Sequence, residues 1–563
     1  MSDFRRAFKS FGLAITSSLC LLQQNVHAQE NDPSDKYFEI SKNLEIFSNV
    51  FKELNQYYVD PIQPGKMVKT GVDAMLDDLD PYTNLITEAD AEDYQLQTTG
   101  KYSGVGISTR IVKGDFVITE IFENGPVAKA GIRAGDVIVA IDNKPLKGRT
   151  DDQIALMLRG APGTTLKMTI LNPSIKKEET KTITREEIQI SSVPYASLIG
   201  SNNSIAYVFL TQFTPNCSRD VRNALDSLKT ANPNIKGIVL DLRGNPGGLL
   251  DEAVKICNIF NDKGQLVVST RGKNKEWEKE FRTNGSPWDL KIPVAVLVNH
   301  GSASASEIVS GTIQDLDRGV IVGTRSYGKG LVQNIRDLGY NTRLKITTAK
   351  YYTPSGRCIQ ALDYTHRNED GSVSRVPDSL KKSFKTKGGR VVFDGGGIEP
   401  DINMEDEILS PISISLLSKG YLFDYVTEYY YQHQSIDQPA NFTISDKDFN
   451  DFVKWLGDKD YGYKTYSEVL LDSLKSATVK DKTFDNSKAA YDALAAKLGH
   501  DKKQDLTNNK PEIMYLLGNE IVSRYYFQKG RAINRMKYED KVLNKAIEIL
   551  SDEKAYDTIL KAK

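Results

Sequence analysis

One stretch of this chain decides its fold class: it runs Gly-Ile-Val-Leu-Asp-Leu-Arg-Gly-Asn-Pro-Gly-Gly from residue 237 to residue 248. Its apolar first half predicts a strand buried on both faces, and the glycines and proline then break that strand before a helix. Such a turn exposes backbone N–H groups at the positive end of the helix, which suits a phosphate or an oxyanion. A P-loop would need Gly-Lys-Ser/Thr here, and none follows, so phosphate is the weaker interpretation. A turn with a purely structural role also remains open.

The residues around this stretch alternate between β-type runs and amphipathic helices. The segments are a strand at 205–210, a helix at 219–228, a strand at 237–242, a helix that ends at residue 260 and a strand at 294–298. Alternation of this kind predicts a layered α/β core. We place that core at residues 187–403.

A serine follows the strand at 294–298, in the sequence Asn-His-Gly-Ser-Ala-Ser-Ala-Ser-Glu from residue 299 to residue 307. Ser304 and Glu307 have the spacing of a capping box, so one interpretation is that Ser304 simply caps the next helix. The small alanines beside Ser304 also leave room for a substrate carbonyl, and a helix N-terminus stabilises a developing negative charge. Ser304 is therefore also a candidate nucleophile.

A lysine in an unusual setting supplies a candidate base. Lys329 lies between Gly328 and Gly330, just after a short β-run at 319–323. A serine hydroxyl needs a base to become a good nucleophile, and a lysine serves only if burial keeps it neutral. Gln333, four residues further on, shares a face with Lys329 and could orient the amine. His300 is a competing base, although no acidic partner for it is identifiable.

A second glycine-rich loop begins a β-rich region that we place at residues 98–186. The loop is Gly104-Val105-Gly106-Ile107, where successive backbone N–H groups can converge on a peptide's terminal carboxylate while the adjacent strand pairs with the peptide backbone. Alone, such a loop is more often just a turn. The sequence from 125 to 164 changes that balance, because together with this loop it resembles a bacterial PDZ domain. The resemblance implies a groove between the strand that begins at Ile107 and the helix, predicted at 151–158, that carries Ile154 and Leu158.

Taken together, residues 80–401 resemble the carboxy-terminal processing proteases. The resemblance rests on motifs at 79–83 (Leu-Asp-Pro-Tyr-Thr), 241–248, 302–308, 328–333 and 351–357. It implies a multidomain α+β protein with a crotonase-like α/β protease core, in which Ser304 is the nucleophile, Lys329 the general base and Gln333 the residue that orients the lysine. It also implies an oxyanion hole made by the backbone N–H of Ala305 and of Gly247 or Gly248. A catalytically silent PDZ scaffold and a crotonase-type acyl-CoA enzyme are the alternatives.

Composition limits the partners and cofactors. The 563 residues predict three or four domains, and 73 basic against 74 acidic residues give a net charge of -1. No overall field therefore attracts nucleic acid. Four cysteines without CxxC spacing and five histidines favour neither a metal site nor a disulfide framework. We predict no metal and no cofactor, and protein or peptide substrates bound through their C-terminal tails.

The two ends of the chain have their own character. Residues 1–28 combine early basic residues, an apolar run at 11–22 and a small-residue end at 26–28, which predicts a signal peptide and export to the bacterial periplasm or cell envelope. A retained anchor is the alternative. Residues 29–97 show helix-period apolar stripes, and residues 404–563 predict a C-terminal helical domain with helices at 412–432, 487–498 and 511–527. Either helical region could support a homo-oligomer, and an adaptor protein is a further possible partner.

Overall fold

The computed structural model describes residues 33–561 except 89, 369, 406–407, 499–501 and 539. The chain divides into two compact units, one ending at Asp78 and the other beginning at Leu79. The predicted signal peptide at 1–28 lies outside the described residues. None of the helices that the structure describes combines the length and apolar character needed to cross a membrane.

The first unit contains two helices, α1 (Pro33–Tyr57) and α2 (Pro64–Asp77). Both begin with a proline, whose missing N–H is not needed at the first helical position. They coincide with the predicted apolar stripes. The stripe on α1 is exposed, because Phe38 is 71% and Leu44 64% accessible.

The second unit begins with β1 (Asn84–Ile86), α3 (Ala91–Thr99) and β2 (Lys101–Gly104). The β-rich domain follows, with β3 (Ile107–Val112), β4 (Asp115–Ile121), α4 (Pro126–Lys129), β5 (Val137–Ile141), β6 (Lys144–Pro145), α5 (Asp151–Leu158), β7 (Thr165–Asn172) and β8 (Lys177–Thr184). Its sheet has the order β3-β4-β5-β7-β8, with β6 paired to β5. The next strand, β9 (Glu186–Gln189), pairs antiparallel with β2, so the chain enters and leaves this domain at one place.

The layered α/β core follows the β-rich domain. Its helices and strands are β10 (Tyr195–Ile199), β11 (Ile205–Phe209), α6 (Cys217–Ala231), β12 (Gly237–Asp241), α7 (Leu250–Phe260), β13 (Leu266–Gly272), β14 (Lys279–Arg282), β15 (Val294–Val298), α8 (Ala305–Asp315), β16 (Val320–Gly323), β17 (Leu331–Gly339), β18 (Thr342–Tyr352), β19 (Leu362–Arg367), β20 (Val373–Arg375), β21 (Ser383–Lys385), β22 (Val391–Phe393) and β23 (Ile402–Asn403). The central sheet has the order β10-β11-β12-β15-β16-β23 and is parallel from β11 onward. A second sheet has the order β1-β18-β13-β14, with β17 on β18.

The C-terminal region is helical, as predicted. Its helices are α9 (Pro411–Ser418), α10 (Tyr421–Gln432), α11 (Asp446–Leu456), α12 (Tyr466–Lys480), α13 (Phe484–Leu498), α14 (Lys502–Asn508), α15 (Lys510–Lys537), α16 (Lys541–Ser551) and α17 (Glu553–Leu560). The single helix predicted at 412–432 is wrong, because Gly420 adopts a left-handed conformation (φ 74°) and separates α9 from α10. The helix predicted at 511–527 continues to Lys537 past a non-helical residue, Phe527.

Both faces of the central sheet are covered, which explains the uninterrupted apolar runs of its strands. Alternate residues such as Leu240 and Val296 pack in one cluster with α6, α7 and α8. The residues between them, such as Val239 and Leu297, pack in another cluster with α16 and α17. The helices α16 and α17 thus complete the α/β core.

The remaining C-terminal helices form a cluster of their own, which includes residues of α9, α10, α11, α14 and α15. This cluster also contacts the β-rich domain. Arg133 stacks over the Tyr430 ring with 4.8 Å from Cζ to the ring centroid, and Arg531 pairs with Glu120 at 3.1 Å. The C-terminal region therefore contacts both the β-rich domain and the core.

Candidate active site

Ser304 lies at the sharp turn between β15 and the N-terminus of α8. Its backbone angles are φ 55° and ψ -112°, a strained conformation for a residue with a side chain. Ser304 occupies the N-cap position in a capping-box arrangement with Glu307, as the spacing predicts. An ordinary N-cap residue has extended backbone angles, so capping alone does not account for this geometry.

The Glu307 carboxylate joins the serine to the lysine segment. One of its oxygens accepts the backbone N–H of Ser304 at 2.8 Å and that of Lys329 at 2.9 Å. The two backbone nitrogens therefore lie within about 6 Å of each other. The other oxygen accepts Gly328 N–H at 2.7 Å and the Ser326 hydroxyl at 2.6 Å. Burial raises the pKa of Glu307, and these four hydrogen bonds oppose that rise.

Lys329 lies in an environment that favours its neutral form. Burial, and then the positive charge of Lys345, lower the pKa of Lys329 to about 8, although the Glu307 and Asp80 carboxylates oppose this shift. Its Nζ lies 4.2 Å from the centroid of the Tyr82 ring, which covers the amine on one side. The burial that a lysine base needs, as inferred from the sequence, is therefore present at Lys329.

Ser304 and Lys329 open into one cavity of about 650 Å³. The lining residues are Tyr94, Thr98, Gln212, Pro246, Gly247, Gly248, Leu249, Leu250, Ser304, Ala305, Ile308, Lys329, Leu331, Val332, Gln333, Ile335, Lys345 and Tyr351. This lining includes the six residues for which the sequence predicts a catalytic or oxyanion-binding role, namely Gly247, Gly248, Ser304, Ala305, Lys329 and Gln333. Apolar and polar side chains line the cavity in equal number, and the serine and the lysine are among the polar ones.

The residues whose backbone N–H groups are expected to bind an oxyanion, Gly247 or Gly248 together with Ala305, line the same cavity as Ser304. The Gly247 N–H donates to the Asn245 side-chain oxygen at 2.9 Å. Within the described part of the chain, the N–H groups of Gly248 and Ala305 have no hydrogen-bond partner. A Cβ on Gly247 would lie 2.8 Å from the Ser304 Cβ, so only glycine fits there. Of the two glycines left open by the sequence, the geometry favours Gly248 as the donor.

Gln333 lies on β17 and lines the same cavity as Lys329. Its side-chain nitrogen donates to the Thr347 hydroxyl oxygen at 3.3 Å. The Thr347 N–H donates to the Thr83 hydroxyl oxygen at 3.2 Å, and that hydroxyl contacts Asp80 at 3.1 Å. The segment Asp80–Thr83, recognised in the sequence only as a motif, therefore supports both Gln333 and, through the Tyr82 ring, Lys329. Orientation of the lysine by Gln333 stays a prediction.

Two further residues of the site, Tyr351 and Asn245, belong to motifs that the sequence shows, but the sequence assigned them no role. The Tyr351 hydroxyl donates to the Lys329 carbonyl oxygen at 2.5 Å and to the Ser304 carbonyl oxygen at 3.2 Å. Asn245 is fully buried, and its backbone oxygen accepts the Ser306 hydroxyl at 2.9 Å. His300, the competing base, is exposed on the loop before Ser304 and does not line the cavity.

The glycine-rich loop of the β-rich domain, Gly104–Ile107, contacts a side chain of the same domain. The Ile107 N–H donates to the Tyr102 hydroxyl oxygen at 3.2 Å. A Cβ on Gly104 would lie 2.8 Å from the Tyr102 ring, so the ring lies directly against the loop. The loop residues Val105 and Gly106 are themselves buried. The Tyr102 hydroxyl thus accepts the Ile107 N–H, a donor that we expect to bind a peptide carboxylate.

The apolar residues expected to line the peptide groove are buried. Ile154 is 1% and Leu158 8% exposed, and both belong to the hydrophobic core of the domain together with Val105. Ile107 is partly exposed and packs against that core. A peptide side chain reaches Ile154 and Leu158 only if the groove opens.

In the described residues, no group of three or more His, Cys, Asp or Glu side chains is placed to hold a metal ion. The three cysteines there, Cys217, Cys257 and Cys358, are free thiols. Burial raises the pKa of the Cys257 thiol to about 12, which makes it unreactive as a nucleophile. The nucleophile that the cavity offers is the serine.

Models of three known protein families match parts of this chain. The model of peptidase family S41 matches residues 204–366, that of the PDZ domain matches 93–171, and that described as "Probable PDZ-protease, C-terminal helical domain" matches 412–550. A carboxy-terminal-processing protease of Bartonella bacilliformis is 36% identical over 356 residues, which is 63% of this chain and 80% of that protein. A "Probable CtpA-like serine protease" of Staphylococcus aureus strain N315 is 34% identical over 389 residues, 68% of this chain and 73% of that protein.

Among solved structures, the photosystem II D1 C-terminal processing protease is 25% identical and covers 65% of this chain and 94% of its own, with a TM-score of 0.35. The fold prediction, a multidomain α+β protein with a PDZ domain and a C-terminal helical domain, is confirmed. The chain belongs to the carboxy-terminal-processing protease family, and it is a PDZ-containing serine endopeptidase of peptidase family S41.

Proposed function

We propose that Ser304 is the nucleophile of this protease and that neutral Lys329 is its general base. One observation carries the proposal: both side chains line one cavity, in which burial lowers the pKa of Lys329 to about 8. A lysine with an ordinary pKa near 10.5 is almost wholly charged at neutral pH and cannot accept a proton. The strained backbone of Ser304 supports the same role, because such strain often occurs at functional sites.

The reaction begins when Ser304 Oγ attacks the scissile carbonyl carbon and gives its proton to Lys329 Nζ. The carbonyl π electrons move to oxygen, and the N–H groups of Gly248 and Ala305 donate to the resulting oxyanion. The C–N bond then breaks, and the Lys329 ammonium gives its proton to the leaving amine. An ester on Ser304 remains, and water hydrolyses it with the same base, which releases the new carboxyl terminus and restores the serine hydroxyl.

Gln333 has a supporting role in this proposal. Its amide lies on β17 beside the lysine segment and is held by Thr347. An amide oxygen at this position can accept a hydrogen bond from the Lys329 amine and aim its lone pair at Ser304. Glu307 and Tyr351 hold the two backbone segments together, so the side chains meet in one geometry.

The substrates that we propose are protein or peptide chains captured by their C-terminal tails. The loop from Gly104 to Ile107 lies between β2 and β3, where a bound tail could extend the sheet at β3. The Bartonella bacilliformis relative is named a carboxy-terminal-processing protease. A catalytically silent scaffold is not favoured, because both residues that it would need to lose are present and line the cavity.

Export and assembly are part of the same proposal. Residues 1–28 have the pattern of a signal peptide, so we propose a protease of the bacterial periplasm or cell envelope, which N-terminal sequencing of the mature protein would test. The exposed apolar stripe of α1 supports pairing with a second copy of the chain. Analytical ultracentrifugation tests this, since a monomer at all concentrations would contradict it. We also propose that the C-terminal helices could receive an adaptor protein.

The test of the function uses two unfolded substrates that differ only in their last three residues, apolar in one and charged in the other. We expect the purified protein to cleave the apolar-tailed substrate faster, and Ser304→Ala to lose at least about 1,000-fold in kcat. Equal cleavage of the two substrates would contradict tail capture. Undiminished cleavage by Ser304→Ala would contradict the role of the serine.

A further inference from the structure

A buried ion pair joins the C-terminal helices to the loop that carries Gly248. Asp540 is the N-cap of α16, and its carboxylate faces the guanidinium of Arg243. The Arg243 Nη1 donates to one Asp540 oxygen at 2.8 Å, and Nη2 donates to the other at 2.7 Å. Bidentate pairs of this kind fix the orientation as well as the distance of the two groups. Arg243 is the residue directly before the loop Gly244–Gly248.

The same guanidinium is held from the strand side by Asp241. Arg243 Nε and Nη2 donate to that carboxylate at 2.9 and 2.6 Å. The side chains of Arg243 and Asp540 are each 5% exposed, and that of Asp241 is fully buried. Burial would raise the pKa of Asp241, but the charge and hydrogen bonds of Arg243 outweigh burial and lower it. Charged groups in such a place hold each other tightly, because water does not compete for their hydrogen bonds.

The ion pairs of Arg243 and the hydrogen bonds of neighbouring residues fix the position of the loop. Gly244 N–H donates to the Asn299 side-chain oxygen at 2.8 Å, and the Leu242 carbonyl accepts the Ser302 hydroxyl at 2.8 Å. Asn245 then takes the Gly247 N–H, which leaves the N–H of Gly248, a residue that lines the same cavity as Ser304. Only four residues lie between Arg243 and Gly248. A shift of Arg243 therefore displaces the donor.

We propose that Asp540 is a positioning residue of the protease: through Arg243 it holds the Gly248 N–H where the oxyanion forms. The C-terminal helices would then set the catalytic geometry as well as cover the sheet. This inference rests on the proposed role of the Gly248 N–H. A residue that served stability alone would change the melting temperature without changing the stabilisation of the oxyanion.

The test compares Asp540→Asn with Asp552→Asn. Asparagine still caps a helix, so Asp540→Asn keeps an acceptor for the Leu543 N–H but loses the charge and one of the two acceptors for Arg243. Asp552 is the exposed N-cap of α17, where it accepts two backbone N–H groups, and it controls for the loss of a capping carboxylate. Each variant is assayed for kcat and KM, for its melting temperature and for inhibition by a peptide boronic acid, whose tetrahedral serine adduct places an oxygen in the hole.

We expect Asp540→Asn to lose about 10-fold or more in kcat, with KM within about 2-fold, because misplacement of a donor affects the transition state more than substrate binding. The affinity for the boronic acid should fall by the same factor as kcat/KM. Asp552→Asn should match the wild type in its kinetic constants and in its affinity for the boronic acid. A folded Asp540→Asn with wild-type kcat, or with lower kcat and unchanged boronate affinity, overturns the proposal.

If Asp540→Asn does not fold, Arg243→Lys takes its place, since lysine keeps the positive charge but cannot make the bidentate pair. The same losses are expected, and wild-type kcat in the folded variant overturns the proposal. Failure of the proposed function shows differently, as a wild-type protein that does not cleave or a Ser304→Ala variant that does.

Discussion

In the proposed mechanism, the pH dependence of cleavage follows the protonation of Lys329. With a pKa of about 8, roughly a tenth of the amine is neutral at pH 7, half at pH 8 and nine-tenths at pH 9. The base works only when neutral, so kcat/KM should rise about tenfold from pH 7 to pH 9 and then level off. A lysine with its ordinary pKa near 10.5 would instead give about tenfold per pH unit throughout, without a plateau.

The variant Lys345→Gln tests the cause of this shift. The Lys345 ammonium is the second influence, after burial, that lowers the pKa of Lys329. Its removal should move the midpoint of the profile to higher pH and lower the rate at pH 7. Lys350→Gln is the matched control, because Lys350 is exposed on the same strand and does not line the cavity.

The assay is the initial rate of cleavage of a fluorogenic peptide from pH 6 to pH 10, at substrate concentrations well below KM. Melting temperatures at each pH show that the protein stays folded. A profile that is flat between pH 7 and pH 9, or one that rises tenfold per unit to pH 10, would refute the reasoning about a desolvated base. An unmoved midpoint in Lys345→Gln would refute the contribution of that charge.

Three further substitutions test other parts of the site. Glu307→Gln should lower kcat at least about 100-fold and destabilise the protein by about 2–3 kcal/mol, because an amide NH₂ would face buried N–H donors. Steady-state kinetics and urea unfolding measure the two effects. A wild-type kcat would contradict the role of Glu307 in holding the Ser304 and Lys329 segments together. Tyr102→Phe should bind an apolar-tailed peptide about 2–10-fold more tightly, because it frees the Ile107 N–H from a hydrogen bond worth about 0.5–1.5 kcal/mol. Fluorescence anisotropy measures the affinity. Weaker or equal binding would show that the Tyr102 hydroxyl does not compete with the peptide for that N–H. Gly248→Ala should lose at least about 100-fold in kcat, because its Cβ would overlap the Phe213 carbonyl and displace the donor. Gly244→Ala is the control, because both glycines have positive φ (72° for Gly244 and 145° for Gly248) and both variants carry backbone strain, but a Cβ at Gly244 has nothing within 4 Å and should cost much less turnover. Equal kcat in the two variants would exclude the proposed donor.

Local pattern was enough to predict much of the fold. The strand at 294–298 and the helix at 151–158 have the predicted bounds, because their periodicity and flanking signals agree. Pattern failed where a backbone conformation interrupts a continuous apolar stripe. Gly420 breaks the stretch 412–432 by adopting positive φ, which periodicity alone does not reveal.

Sequence pattern singled out Ser304 and Lys329, which line one cavity, but it did not show what holds the two segments together. Ser304 and Lys329 each have an unusual local setting, whereas Glu307 looked only like a capping residue. Its other partners come from a loop about 20 residues further on, and their contact depends on the tertiary fold. The pairing of Arg243 with Asp540 spans 297 residues and leaves no local signal.

The peptide groove illustrates another limit. Glycine spacing located the loop, and helical spacing located Ile154 and Leu158. Neither pattern shows that the Tyr102 hydroxyl accepts the Ile107 N–H or that both apolar residues are buried. Sequence patterns identify the parts of a binding site, but its open or closed state depends on side-chain contacts.

The role of Lys329 as the base is tested most directly by the turnover number of Lys329→Met. Methionine keeps the length and the burial of the side chain and removes only the amine. We predict a loss of at least about 1,000-fold in kcat, with an unchanged melting temperature and unchanged binding of a tail peptide. A folded Lys329→Met variant that cleaves within tenfold of the wild-type rate would contradict the serine-lysine mechanism.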